Sequence, residues 1–83
     1  MKITLRQFLE ICNKDFIETY IANLYVDEWD ADFEEWFSRM KIENITNIKE
    51  LEPYMDYEIT GFEQRACYGE VVTQNIYVRE ITQ

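Results

Sequence analysis

No histidine occurs among the 83 residues. Its absence removes the commonest general base at neutral pH, the usual hydrolytic triads and the histidine-containing zinc sites together. Glycine is held to two residues, and neither a phosphate-cradling loop nor a dinucleotide-binding fingerprint can be found. A single proline and the lack of any repeat or low-complexity stretch argue against a linker or a disordered tail. The two cysteines, Cys12 and Cys67, are too few for a four-ligand zinc site unless carboxylates or a second chain contributed. No apolar run approaches the roughly 20 residues that a membrane helix needs. The opening from Met1 to Arg6 lacks the apolar core of a secretory signal, so a cytoplasmic location is expected. In that compartment both thiols stay reduced, and Asn44–Ile45–Thr46 matches a glycosylation acceptor only by chance.

Positive charge is scarce as well. Eight basic residues face seventeen acidic ones, for a net charge of −9. Gripping DNA, RNA or anionic lipid requires Lys and Arg to displace counterions, so direct binding to any of them is disfavoured. The expected partner is a basic protein.

What is present is a chain that is 47% hydrophobic and 16% aromatic, a composition that folds. Its length allows one domain, residues 1–83, burying about 60% of its unfolded surface. Thr4 and Gln7 have the form of a capping box, and Leu5, Phe8, Leu9 and Cys12 follow at helical spacing, which predicts a helix from Thr4 to Asn13 with a core-facing stripe. From Asp15 to Val26, the residues Phe16, Ile17, Tyr20, Ile21, Leu24 and Tyr25 fit a helix stripe, while their β-branched and aromatic content suits a strand. Phe33, Trp36, Phe37 and Met40 are equally ambiguous: with Asp32 and Glu35 as a capping box they make a helix. As strands, the two runs would form a hairpin turning through Asp27 to Asp32. Ile48, Leu51 and Met55 predict a short helix capped near Asn47 and interrupted by Pro53. Tyr57–Glu63 and Val71–Ile81 read as an antiparallel hairpin closed by a loop with Gly69, and Gly61 marks a bulge or a close backbone approach.

The segment Thr4–Leu5–Arg6–Gln7–Phe8–Leu9–Glu10–Ile11–Cys12 resembles the starts of small acidic proteins of bacterial mobile elements and phages, in which a Leu-Arg-x-Phe-Leu helix leads into strands, a short helix and a closing hairpin. Ile48–Lys49–Glu50–Leu51 and Tyr57–Glu58–Ile59–Thr60 stand where such proteins carry their second helix and next strand. The resemblance implies an α+β fold of order α-β-β-α-β-β with an antiparallel sheet. The alternative is three or four N-terminal helices followed by a C-terminal β-hairpin. It also implies the company of anti-CRISPR proteins and other DNA mimics. The aromatic, acidic stretch from Trp29 to Phe37 departs from the pattern.

Chemistry has few candidates. Asp32 with Glu35, or Glu34 with Glu35, could pair for glycoside hydrolysis, but a chain of this size leaves little room for a substrate cleft. The acids from Asp27 to Glu35 lack the ordered spacing and glycine of a calcium loop. Cys67 reads as a loop cysteine without chemistry. No catalytic residue, cofactor or metal is therefore expected, and the chain reads as a non-enzyme.

The feature left over is how charge is distributed. From Asp15 to Ser38 the acids Asp15, Glu18, Asp27, Glu28, Asp30, Asp32, Glu34 and Glu35 meet no base, and the last six surround Trp29, Phe33, Trp36 and Phe37. Rings rimmed by one sign of charge suit an interface, since rings give buried area and charges steer a complementary partner. The competing reading makes the rings core and the acids a solvated face; under either, one tryptophan is expected to be buried. The candidate partner-binding set is Asp27, Glu28, Trp29, Asp30, Asp32, Glu34, Glu35 and Trp36. On a strand, alternate acids would stand about 6.6 Å apart on one face, a row that could replace phosphates on the basic nucleic-acid-binding surface of a partner. The function expected is that of a protein-binding inhibitor, with a CRISPR effector as one partner. The alternative is a structural or adaptor module that self-associates as a homodimer or docks to another protein.

Overall fold

The helix at the start of the chain forms because its first turn is satisfied on every side. In the computed structural model, which describes residues 2–11, 21–67 and 71–81, helix α1 spans Leu5–Ile11. An α-helix leaves its first amide hydrogens without internal partners. Here Leu5 N donates to Tyr57 O at 2.8 Å and Arg6 N to Met55 O at 3.0 Å. Gln7 N donates to Thr4 Oγ1 at 3.2 Å, and Thr4 N donates back to Gln7 Oε1 at 2.9 Å. The expected capping box is present, with two orphan donors anchored on a distant segment. The predicted end at Asn13 lies outside the described residues.

Strand β1 (Ile21–Asp30) and strand β2 (Glu35–Ile42) pair antiparallel. The helical option for Phe33 to Met40 is thereby overturned, and the part of the earlier run up to Tyr20 lies outside the described residues. The turn is also displaced: β1 continues through Asp27–Asp30, and residues 31–34 make the bend. Asp30 sets that bend, its Oδ1 accepting from Asp32 N at 2.9 Å and Phe33 N at 3.4 Å. The predicted second helix is a 3-10 helix, Ile48–Tyr54, capped by Asn47 with Glu50 completing a capping box. Pro53 sits inside it near its end, as suits a short helix that stops one residue later. Strand β3 (Glu58–Cys67) and strand β4 (Val71–Arg79) form the expected closing hairpin. Cys67 ends β3 opposite Val71 and is not a loop residue. The register shifts between Ile59 and Gly61, which is the bulge that Gly61 announced. The predicted loop with Gly69 and the side chains of both cysteines lie outside what is described.

The sheet runs β2-β1-β4-β3, with β1 and β4 parallel at its centre. It is mixed, and the expected all-antiparallel sheet is corrected. The reason is the crossover: residues 43–57 carry the chain from the end of β2 back across one face, so β3 sets off in the direction of β2 and β4 returns alongside β1. On that face Ala22, Leu24 and Val26 of β1 and Ile76 and Val78 of β4 meet Leu5 and Leu9 of α1, and Ile45 and Leu51 of the crossover, in one core. Ile45 N donates to Ala22 O at 2.7 Å, which ties the crossover to β1.

The opposite face of the sheet carries the alternate residues. Tyr25 and Tyr77 stack at 4.9 Å. Asn23 Nδ2 donates to Asn75 Oδ1 at 3.0 Å, and Asn75 Nδ2 donates to Glu63 Oε1 at 3.2 Å. Arg65 Nε reaches the same Glu63 oxygen at 2.7 Å. Those hydrogen bonds hold Glu63 ionised below the usual carboxylate range, Arg65 contributing most and Asn75 next. Among the described residues no helix lies on this face.

Candidate protein-binding hairpin

Strand β4 accompanies β1 only as far as Asp27, whereas β2 pairs with β1 to Asp30. Residues 28–37 therefore extend past the central strands as a two-stranded arm. A lone hairpin is marginal in water, and this one is braced by cross-strand rings. Trp29 stands directly opposite Trp36, with ring centroids 5.5 Å apart, edge to face. Phe33 and Phe37 meet edge to face at 6.2 Å. All four rings are nevertheless exposed, at 52% for Trp29, 70% for Phe33, 44% for Trp36 and 38% for Phe37. Neither tryptophan is buried, contrary to expectation, because the arm has no core behind it.

Of the six acids in the segment, two are engaged inside the fold. Asp27 lies at the root of the arm with 9% of its side chain exposed. It accepts from Ser38 Oγ at 2.6 Å, Thr60 Oγ1 at 2.9 Å and the Arg79 guanidinium at 3.3 Å. Arg79 also places its guanidinium carbon 3.8 Å from the centroid of the Trp36 ring. This one arginine thus links β4 to both strands of the arm. Glu28, on the core side of β1, is held by Lys41 at 2.8 Å and Arg39 at 3.0 Å. The hydrogen bond from Lys41 keeps its carboxyl below the usual range, and the same bond raises Lys41.

The other four acids, Asp30, Asp32, Glu34 and Glu35, form no ion pair among the described residues and cluster at the tip. Glu34 adopts φ 53°, the left-handed region that closes the bend. The phosphate-like row expected along a strand does not form: Asp27 and Glu28 fall on opposite faces and are neutralised, and the remaining acids gather around a turn. Sequence reasoning missed Arg79 and Ser38 as the supports of the arm. A lone arginine near the chain's end gave no hint of its distant partners, although its register beside Asp27 follows from the parallel pairing.

Elsewhere, a small cavity of about 160 Å³ lies between α1 and the 3-10 helix, lined by Arg6, Leu9, Glu10, Ile48 and Met55. No group of three or more metal-ligating side chains occurs among the described residues, and no helix among them is long and apolar enough to cross a membrane. Comparison of the chain with protein-family models, with curated proteins and with solved structures finds no match.

Proposed function

We propose that the chain is a non-enzymatic inhibitor that uses the tip of its hairpin arm to occupy the basic, nucleic-acid-binding surface of another protein. The observation that carries this reading is the projecting arm itself, where four unpaired acids surround rings that remain exposed. Carboxylates without an ion pair can approach Lys and Arg side chains without first breaking a salt bridge, Asp30 through the oxygen that does not cap the bend, and adjacent rings give desolvated area on contact. Because the acids form a cluster and not a row, the mimicry is of a local group of phosphates, not of a duplex groove. A CRISPR effector is the partner to test first, on the resemblance of the opening segment.

The test is capture from host lysate followed by titration of the purified partner at two salt concentrations. Replacing Asp32, Glu34 and Glu35 together by Lys, with Asp30→Asn to remove the charge while keeping the oxygen that caps the bend, should abolish binding while circular dichroism stays unchanged, since exposed substitutions usually alter stability by within about 0.5 kcal/mol each. Full affinity in that folded variant would end the proposal.

A further inference from the structure

Strand β2 forms one edge of the sheet, and every residue from Glu35 to Lys41 is exposed. On its outer side the strand presents backbone donors and acceptors with no neighbouring strand among the described residues, an arrangement that templates pairing with another chain. The opposite edge differs: β3 is bridged near its start by Thr4 opposite Glu58 and is bulged near Gly61, whereas β2 pairs regularly with β1 from Glu35 to Met40 and shifts register only at Lys41. Edges that avoid pairing carry proline, bulges or charged side chains, lysine above all. This edge has no proline, its charges Glu35, Arg39 and Lys41 are of both signs and stand toward its two ends, and it exposes Trp36, Phe37 and Met40 at 44%, 38% and 45%.

We propose that β2 pairs antiparallel with β2 of a second copy of the chain, about a two-fold axis through Ser38, so that two sheets become one. The strand's own order selects this occupant and this register. Residues directly opposite in a flat continuous sheet must lie on the same face, so only registers that centre the axis on a residue are allowed. Centred on Ser38, the pairing opposes Glu35 to Lys41, Trp36 to Met40 and Phe37 to Arg39, each twice. These are an opposite-charge pair, a sulfur–aromatic pair and a cation–aromatic pair, all of favourable sign. Centring on Arg39 would set two guanidiniums against each other. Centring on Phe37 shortens the overlap and opposes Met40 to Glu34. The strand is acidic where it leaves the turn and basic toward its end, so it is complementary to its own reverse. Lys41 already holds Glu28 and has donors left for Glu35 of the second copy. The pairing leaves residues 31–34 of the two copies at opposite ends of the seam; it shares Glu35 with the contact proposed above and leaves Asp30, Asp32 and Glu34 free of the seam.

The experiment uses the full chain alone. Sedimentation equilibrium should give twice the chain mass, and Glu35→Lys, which opposes two lysines at each end of the seam, should raise the dimer dissociation constant about tenfold. In a background with Cys12→Ser and Cys67→Ser, Ser38→Cys should oxidise to a disulfide-linked dimer about ten times faster than Phe37→Cys or Met40→Cys. Opposed Cα atoms of an antiparallel pair are within disulfide reach, and only position 38 faces itself. A monomer at every concentration up to the solubility limit overturns the proposal. So does a dimer whose cross-linking favours position 37 or 40. Should the cysteine variants fail to fold, the mass of the unaltered chain and of Glu35→Lys still decides.

Discussion

At the scale of single residues, the geometry of the arm depends on two side chains, one at its bend and one at its root. Glu34 closes the bend at φ 53°, a conformation that costs a residue with a Cβ roughly 1 kcal/mol and costs glycine little. Glu34→Gly is expected to raise the unfolding free energy by up to about 1 kcal/mol in urea denaturation, and at the same time to weaken the partner by removing one tip charge. An outcome in which stability and affinity both rise would deny Glu34 its place in the contact. Arg79 acts at the root. Its guanidinium faces Asp27 at 3.3 Å and lies over Trp36 at 3.8 Å. Lysine supplies charge but neither the planar stack nor the fork. Arg79→Lys should therefore leave the core intact while loosening the arm, which is read as faster amide exchange at residues 28–37 with unchanged protection at Leu24 and Ile76. Asn44, at φ 54°, already has the residue type that tolerates this region, so no gain is expected from changing it.

At the scale of elements, the arm's charge pairs give it a pH response whose sign follows from Glu28. Lys41 holds this carboxyl below its ordinary value of 4.5. A group with a depressed folded pKa contributes its stability above the unfolded value and loses it as pH falls through the folded one. The arm should loosen on acidification below pH 4.5, and Glu28→Gln should reduce that response; fluorescence of Trp29 and Trp36 reports it, and an unchanged acid profile in the variant would show that the Glu28 pairs do not hold the arm. How much of each element the sequence revealed depended on how local its determinants were. The capping boxes at Thr4 and Asn47, the closing hairpin and the Gly61 bulge depend on a few neighbouring residues and were legible. The β1–β2 hairpin was not, because Phe33, Trp36, Phe37 and Met40 satisfy helical spacing as well as strand composition, and the turn lies four residues later than the polar run suggested. That run, Asp27–Asp30, is polar because Asp27 and Glu28 meet Arg79, Lys41 and Arg39, partners supplied by later strands. The burial expected of one tryptophan failed for a related reason: a ring's burial depends on what lies behind the strand, and β4 stops short of Trp29.

At the scale of the whole molecule, the closing hairpin was foreseeable, the β1–β2 hairpin was one of two open readings, and the relative orientation of the two was not legible. Turn geometry makes each hairpin antiparallel, but the parallel contact of β1 with β4 is decided by the crossover, whose anchors Ile45 and Leu51 are ordinary apolar residues in sequence. The same global view bounds stability in pH and in salt. Burial raises the Tyr57 and Tyr77 hydroxyls above their ordinary value of 10.0. Groups raised in the folded state contribute fully below the unfolded pKa and lose that contribution as pH climbs through the folded one, so the fold should weaken above pH 10. Salt acts on the net charge of −9. Most acids among the described residues are exposed, and their mutual repulsion is screened beyond about 8 Å at physiological ionic strength. Raising the salt from low concentration should therefore increase the melting temperature by a few degrees, a shift that corresponds to roughly 1 kcal/mol at this size. The two proposed contacts respond differently. Binding of a basic partner through Asp30, Asp32, Glu34 and Glu35 should weaken steeply over the same range, while the β2 seam, in which backbone pairing and the Trp36–Met40 contacts stand beside the Glu35–Lys41 pairs, should change less. Thermal melts, partner titrations and sedimentation, each at low and at high salt, separate the three effects. A partner affinity that holds steady while the melting temperature rises would show that the tip's charges act only against one another, and would remove the acidic arm as the binding element.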